Sequence, residues 1–217
     1  MLAFDIETVP LLSAMQSPYP EDREPPANYK NEDAIARWRE KDRASWDEGR
    51  IKEYSLNPRL GRVVAFACWN EQGGRSAVAQ TEADEHLLLE DFWTFLRHDP
   101  LLVGWNSQGF DLPFIVVRSL LLGVTPHVDV AKYLKRYSYA PHFDVKAALL
   151  AWDVRRAGEG LHEWATAFGL AGKDHHGSEV YGMVQRGEWG VLGSYCRADA
   201  KATYDLAERV VPFFGAP

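Results

Sequence analysis

The chain has 217 residues, 46% of them hydrophobic and eight of them tryptophan, which suffices for the core of one domain. No apolar run is long enough to span a membrane, and the start MLAFDIETVP lacks the basic stretch of an export signal, so a cytoplasmic protein is expected. The two cysteines, Cys68 and Cys196, exclude a disulfide framework and a cysteine zinc site, and the net charge of −7 argues against a bulk electrostatic grip on nucleic acid.

Leu2 to Glu7 alternates apolar and other residues with period two, which predicts a strand. Pro10, Pro18, Pro20, Pro25 and Pro26 then exclude regular structure to about residue 30. Asn31 is placed to cap a charged helix running towards Lys52, with Ile35 and Trp38 on one face. Trp38 and Trp46 read as anchors to the body of the protein or as platforms for nucleotide bases. Residues 10–58 are thus expected to form an insertion after the first strand, inside a single domain of residues 1–217.

Gly61 to Trp69 predicts a second strand paired with the first, Asn70 to Gly74 a turn, and Arg75 to Ala79 a third strand. Glu82 to His98 has helical spacing through Leu88, Leu89, Phe92, Phe95 and Leu96. A short buried strand at Leu101 to Trp105, a helix at Phe110 to Leu122 with Pro113 near its start, and a strand at His127 to Ala131 follow. Further helices are expected at Phe143 to Trp152, Leu161 to Phe168, Gly177 to Arg186 and Trp189 to Val210. The class this implies is α/β, with a mixed sheet flanked by helices.

Three groups of acids carry chemistry. Asp5 and Glu7 leave the same face of the first strand, an unfavourable pairing unless cations fill the gap. Asp111 enters the first turn of a helix after the polar bend of Asn106 to Gly109, at a strand end where open sheets bind ligands; the helix dipole alone would also favour an acid there. Tyr195 and Asp199, four residues apart, share one helix face.

Together, Asp5-Ile6-Glu7-Thr8, the Asn106 to Asp111 segment and Tyr195-x-x-x-Asp199 resemble the three motifs of the four-carboxylate, tyrosine-type branch of the 3′–5′ exonuclease superfamily. They are most similar to stand-alone proteins related to the proofreading domain of family B DNA polymerases. The likeness spans almost the whole chain, including the run Gly169-Leu170-Ala171-Gly172-Lys173 ahead of Gly177-Ser178-Glu179-Val180. The resemblance implies a ribonuclease H-like fold and two Mg2+ or Mn2+ ions held by Asp5, Glu7, Asp111 and Asp199, with Asp5 shared between them. It implies that Tyr195 is catalytic and that Thr8 and Asn106 neighbour the terminal nucleotide, while Phe110 reads equally as a wedge or support for a base and as a core residue. The expected partners are 3′ ends of single-stranded DNA or RNA, with DNA slightly preferred and a repair setting in view; the alternative is an inactive nucleic-acid-binding subunit. Oxygen donors suit these hard cations, and two ions roughly 4 Å apart stabilise both ends of an in-line displacement at phosphorus. Tyrosine, with an ordinary pKa of about 10, is a poor general base, which leaves it the task of orienting the attacking water.

Other residues carry less. Lys132, Lys135, Arg136, Lys146, Arg155 and Arg156 read equally as a phosphate-contacting rim and as a solvated surface. Asp144 reads as a helix cap rather than a fifth ligand, and Cys196 as an inward-facing apolar group. His175 and His176 read as a surface loop, with Lys173 within reach of a phosphate; His86, His98, His127 and His162 have no ligand spacing.

Overall fold

The structure, a computed structural model, describes residues 1–97, 100–153, 160–170 and 179–215. His98, Arg155, Arg156, Ala171, Gly172, Lys173, His175, His176, Gly177 and Ser178 therefore lie outside the described residues. Five strands form one sheet: β1 (Leu2–Pro10), β2 (Gly61–Asn70), β3 (Gly73–Val78), β4 (Leu102–Gly104) and β5 (His142–Asp144), in the order β3-β2-β1-β4-β5. The hairpin partners β1, β2 and β3 run antiparallel, whereas β4 and β5 run parallel to β1. No helix among the described residues is long and apolar enough to cross a membrane.

The period-two pattern of β1 divides the core. Leu2, Phe4 and Ile6 point to one side and pack with α2 (Asp84–Phe95) and α3 (Asp111–Leu122) through Leu88, Phe92 and Phe114. Ala3 and Val9 point to the other side, towards α8 (Trp189–Val210), which lies across β1, β2 and β3. Asp5 and Glu7 share that second side by the same alternation. Gly193 brings the helix close: an added Cβ would stand 3.2 Å from the Ser76 hydroxyl on β3.

The insertion after β1 is built on α1 (Glu32–Ser55), whose Asn31 side chain accepts from the Ala34 amide as its sequence predicts. Trp38 and Trp46 pack against Tyr29 and Tyr19. They thus tie the proline-rich segment to α1, where the sequence suggested anchors to the sheet body or base platforms. Arg50 lies over the Trp46 ring and donates to the carbonyls of Ala14 and Ser17.

One expected strand is absent. Residues 127–131 do not pair with the sheet; Asp129 instead accepts from the Ala131 amide and starts the short helix α4 (Val130–Tyr133). The fifth strand is His142–Asp144, at the head of what reads in sequence as a helix, and Asp144 caps α5 (Val145–Leu149) behind it. A three-residue strand is too short to show a period, whereas an Asx cap competes directly with strand pairing. The helices α6 (Leu161–Ala167) and α7 (Val180–Gln185) lie within their expected spans, and both touch α8.

Candidate active site

Where β1 outruns its short parallel neighbour β4, its backbone amides are open to side chains. The Asp111 carboxylate, at the first residue of α3, accepts from the Ile6 amide between Asp5 and Glu7. Its delivery depends on the loop from Trp105 to Phe110. Gly104 leaves room for the Ser107 side chain, whose hydroxyl an added Cβ would meet at 2.2 Å. His142 donates from Nδ1 to the Tyr133 carbonyl, which makes Nε2 the acceptor of the Ser107 hydroxyl at 2.8 Å. Burial holds that imidazole neutral, with its pKa lowered to about 4.

Asp144 supports the same loop. Its two carboxylate oxygens accept from the amides of Asn106 (3.1 Å) and Gln108 (2.9 Å), besides capping α5. Its oxygens are therefore engaged both in the cap that the sequence suggests and in holding the loop, which the sequence does not show.

The remaining groups come from α8. Tyr195, Cys196 and Asp199 are all buried. The Cys196 thiol lies 3.4 Å from the Asp5 carbonyl and 3.5 Å from its Oδ2, and ligand atoms of Asp5, Glu7 and Cys196 all lie within 4.8 Å of one another. Asp5 is only partly buried by surface area, yet protein surrounds its carboxyl. Burial first, then the charges of Glu7, Asp199 and Asp111, push that carboxyl well above the ordinary range. Burial also raises Asp111, to about 7. The Tyr195 hydroxyl is raised by burial and by Glu7, Asp199 and Asp5, and so stays protonated at neutral pH. Burial and the Asp5 charge raise the Cys196 thiol well above its usual range, so it is a neutral donor to Asp5 rather than a thiolate.

Asp5, Glu7, Asp111, Tyr195 and Asp199 thus converge at one end of the sheet. Their oxygens crowd together: Glu7, Asp111 and Asp199 each act on Asp5 as like charges, and Asp144 does so on Asp111. Such an all-oxygen, like-charged set fits hard divalent cations such as Mg2+ or Mn2+. Sequence reasoning missed His162. Its Nε2 lies 3.0 Å from Asp199 Oδ1, fixing the direction of that carboxylate from the first turn of α6. No spacing rule could find a partner 37 residues away on another helix.

The expected nucleotide contacts separate into two places. Thr8 and Phe110 line a cleft of about 680 Å3 together with Glu7, residues of α1 such as Glu48 and Ile51, and Tyr181 of α7. The Thr8 hydroxyl donates to the Ser55 carbonyl at 2.7 Å, tying α1 to β1. Asn106 lines a separate recess with Asp144 and Trp152.

The raised Asp111 carboxyl has a thermodynamic signature. Between about pH 4 and its folded pKa near 7, the folded chain keeps a proton that the unfolded chain releases. Its contribution to metal-free stability is therefore fully present below about pH 4 and fades as the pH rises towards 7. His142, with its lowered pKa, pulls the other way, so the Asp111→Asn variant isolates the effect. In chelator, the melting temperature of Asp111→Asn relative to wild type should climb steadily as pH rises. In Mg2+ that gain should shrink. A pH-independent difference would mean that Asp111 is not confined among like charges.

Comparison with known proteins agrees with this architecture. The family described as "Predicted 3'-5' exonuclease related to the exonuclease domain of PolB" matches residues 53–215, which takes in Asp111, Tyr195 and Asp199 but not Asp5 and Glu7 on β1. The sequence matches no curated protein. Among solved structures, the family B DNA polymerase from the hyperthermophilic archaeon Pyrobaculum calidifontis aligns over 98% of this chain at 22% identity and a TM-score of 0.63. The chain spans 24% of that polymerase's length, and the likeness shows the fold, which is ribonuclease H-like. With three quarters of its length inside the family match, the chain belongs to this family of predicted 3′–5′ exonucleases related to the exonuclease domain of family B DNA polymerases.

Proposed function

We propose that this protein is a two-metal 3′–5′ exonuclease that removes nucleoside 5′-monophosphates from single-stranded nucleic acid, with DNA the preferred substrate. The observation that carries this reading is the convergence of Asp5, Asp111 and Asp199, from three remote segments, on one point beside Glu7 and Tyr195. Asp5, Glu7, Asp111 and Asp199 would hold the ions, with Asp5 between them. When bound, the ions would hold the phosphate and stabilise charge on the attacking and departing oxygens.

The chain's own residues supply the rest. Tyr195 keeps its proton and donates or accepts a hydrogen bond at the water that attacks in line, as an orienting group rather than a base. His162 holds Asp199 in its orientation, and the Ile6 amide does the same for Asp111. Phe110 and the β1 end at Thr8 support the terminal nucleotide in the adjoining cleft, with α1 as its other wall. The acidic net charge of −7 is not an obstacle, since two divalent ions would cancel four negative charges where the phosphate sits.

Digestion of 5′-labelled single-stranded DNA and RNA, with magnesium, manganese or chelator, tests the proposal. A metal-dependent ladder that shortens from the 3′ end is expected, faster on DNA. Internal cuts, or loss unaffected by chelation, would reject it. Tyr195→Phe should bind metal like wild type but turn over about 100- to 1,000-fold more slowly, the range typical of losing one positioned hydrogen-bonding group at the reacting atoms. An unchanged rate would remove Tyr195 from the mechanism.

A further inference from the structure

The recess lined by the Asn106 loop belongs to no step above. Asn106, Gln108 and Gly109 face Arg136, Tyr137 and Trp152 across a volume of about 90 Å3. Tyr137 and Trp152 both hold left-handed backbone, with φ of 58° and 66°. Side chains rarely adopt that conformation unless the surroundings enforce it, and such residues concentrate at ligand clamps. Tyr137 leaves 75% of its surface exposed, yet its ring is held 5.2 Å from that of Trp152. An exposed, braced aromatic beside a guanidinium matches what single-stranded nucleic acid needs: a face for a base and a positive group for a phosphate.

The recess is joined to the carboxylate cluster by one short loop. Asp144 lines the recess and holds the amides of Asn106 and Gln108, and the same loop ends in Phe110 and Asp111 at the cleft. The Asp144 charge also acts on Asp111, so the recess and the carboxylate cluster are neighbours. We infer that the recess seats the strand upstream of the scissile bond, with a base stacked on Tyr137 and Arg136 on a phosphate. This inference rests on the exonuclease reading and gives it a length preference.

The test compares a dinucleotide with a single strand of about ten nucleotides, a length within the usual range of single-strand sites. Wild type should cleave the longer substrate with a kcat/KM about tenfold higher, mostly through KM. Arg136→Ala and Tyr137→Asn should each lose most of that advantage while cleaving the dinucleotide at the wild-type rate. Asparagine keeps the left-handed backbone accessible, so the second variant should fold normally. Arg136→Ala should also lower the salt dependence of binding by about one counterion. Equal length preference in all three proteins, no preference in wild type, or parallel loss on both substrates would each overturn the inference. If wild type cleaves neither substrate, the exonuclease reading fails instead. Equilibrium binding of the labelled longer strand in Mg2+ then decides the recess: weaker binding by the variants supports it and equal binding overturns it.

Discussion

Asp5→Asn is expected to lower turnover by about a thousandfold or more, and at the same time to raise the melting temperature of the metal-free protein. The two effects have one origin. Asp5 is the acid on which the charges of Glu7, Asp111 and Asp199 all act, so it sits where cations would be shared. Loss of that ligand removes several kcal/mol of charge stabilisation from the displacement, and each 1.4 kcal/mol is about tenfold in rate. Without ions the same carboxylate is surrounded by protein and by like charge, which opposes its ionisation, and a neutral amide of the same shape is relieved of both. The asparagine oxygen can still accept from Cys196, which lies 3.5 Å from the present Oδ2. Digestion assays at saturating Mg2+ and thermal melts in chelator read the two effects separately. A variant that is inactive but also less stable would point to a structural role. One that is active within tenfold of wild type would dissolve the proposed site.

The second large effect lies away from the site. Arg118 on α3 and Glu85 on α2 pair at 2.6 and 2.9 Å, with Glu85 wholly buried. Glu85 also accepts from the Val63 amide on β2, and Arg118 donates to the Pro58 carbonyl ahead of that strand. Arg118→Ala leaves a carboxylate without its cation inside the core and should destabilise the fold by about 3–5 kcal/mol. Adding Glu85→Gln should recover part of that loss, because the uncharged amide can still accept from Val63. Chemical denaturation of wild type, both single variants and the double variant measures the coupling. A double variant less stable than Arg118→Ala would show that burial of the charge is not the cause.

How much of this could be read from sequence follows from how local each feature is. The same-face placement of Asp5 and Glu7 and of Tyr195 and Asp199 needs only the period of a strand or helix, and both were legible. So were the Asn31 cap and the span of α8, whose bounds match the expectation to the residue. Other features were not, because they are meetings of distant segments. The Asp144 brace on the Asn106 loop, the His162 contact to Asp199 and the Thr8 tie to Ser55 have no signature in spacing. The false strand at 127–131 has a different origin: short apolar stretches read alike in either structure, and the Asp129 side chain settled the competition locally.

The order of the segments along the chain has a consequence for synthesis. The acid pair on β1 is made before the helix that faces it: Cys196, which packs on Asp5, follows it by 191 residues. A nascent polypeptide therefore carries Asp5 and Glu7 through the synthesis of 191 further residues before Cys196 exists to pack on Asp5. Only emergence of α8 from the ribosome brings Tyr195 and Asp199 to β1, so chains cut short ahead of α8 should not assemble the cluster.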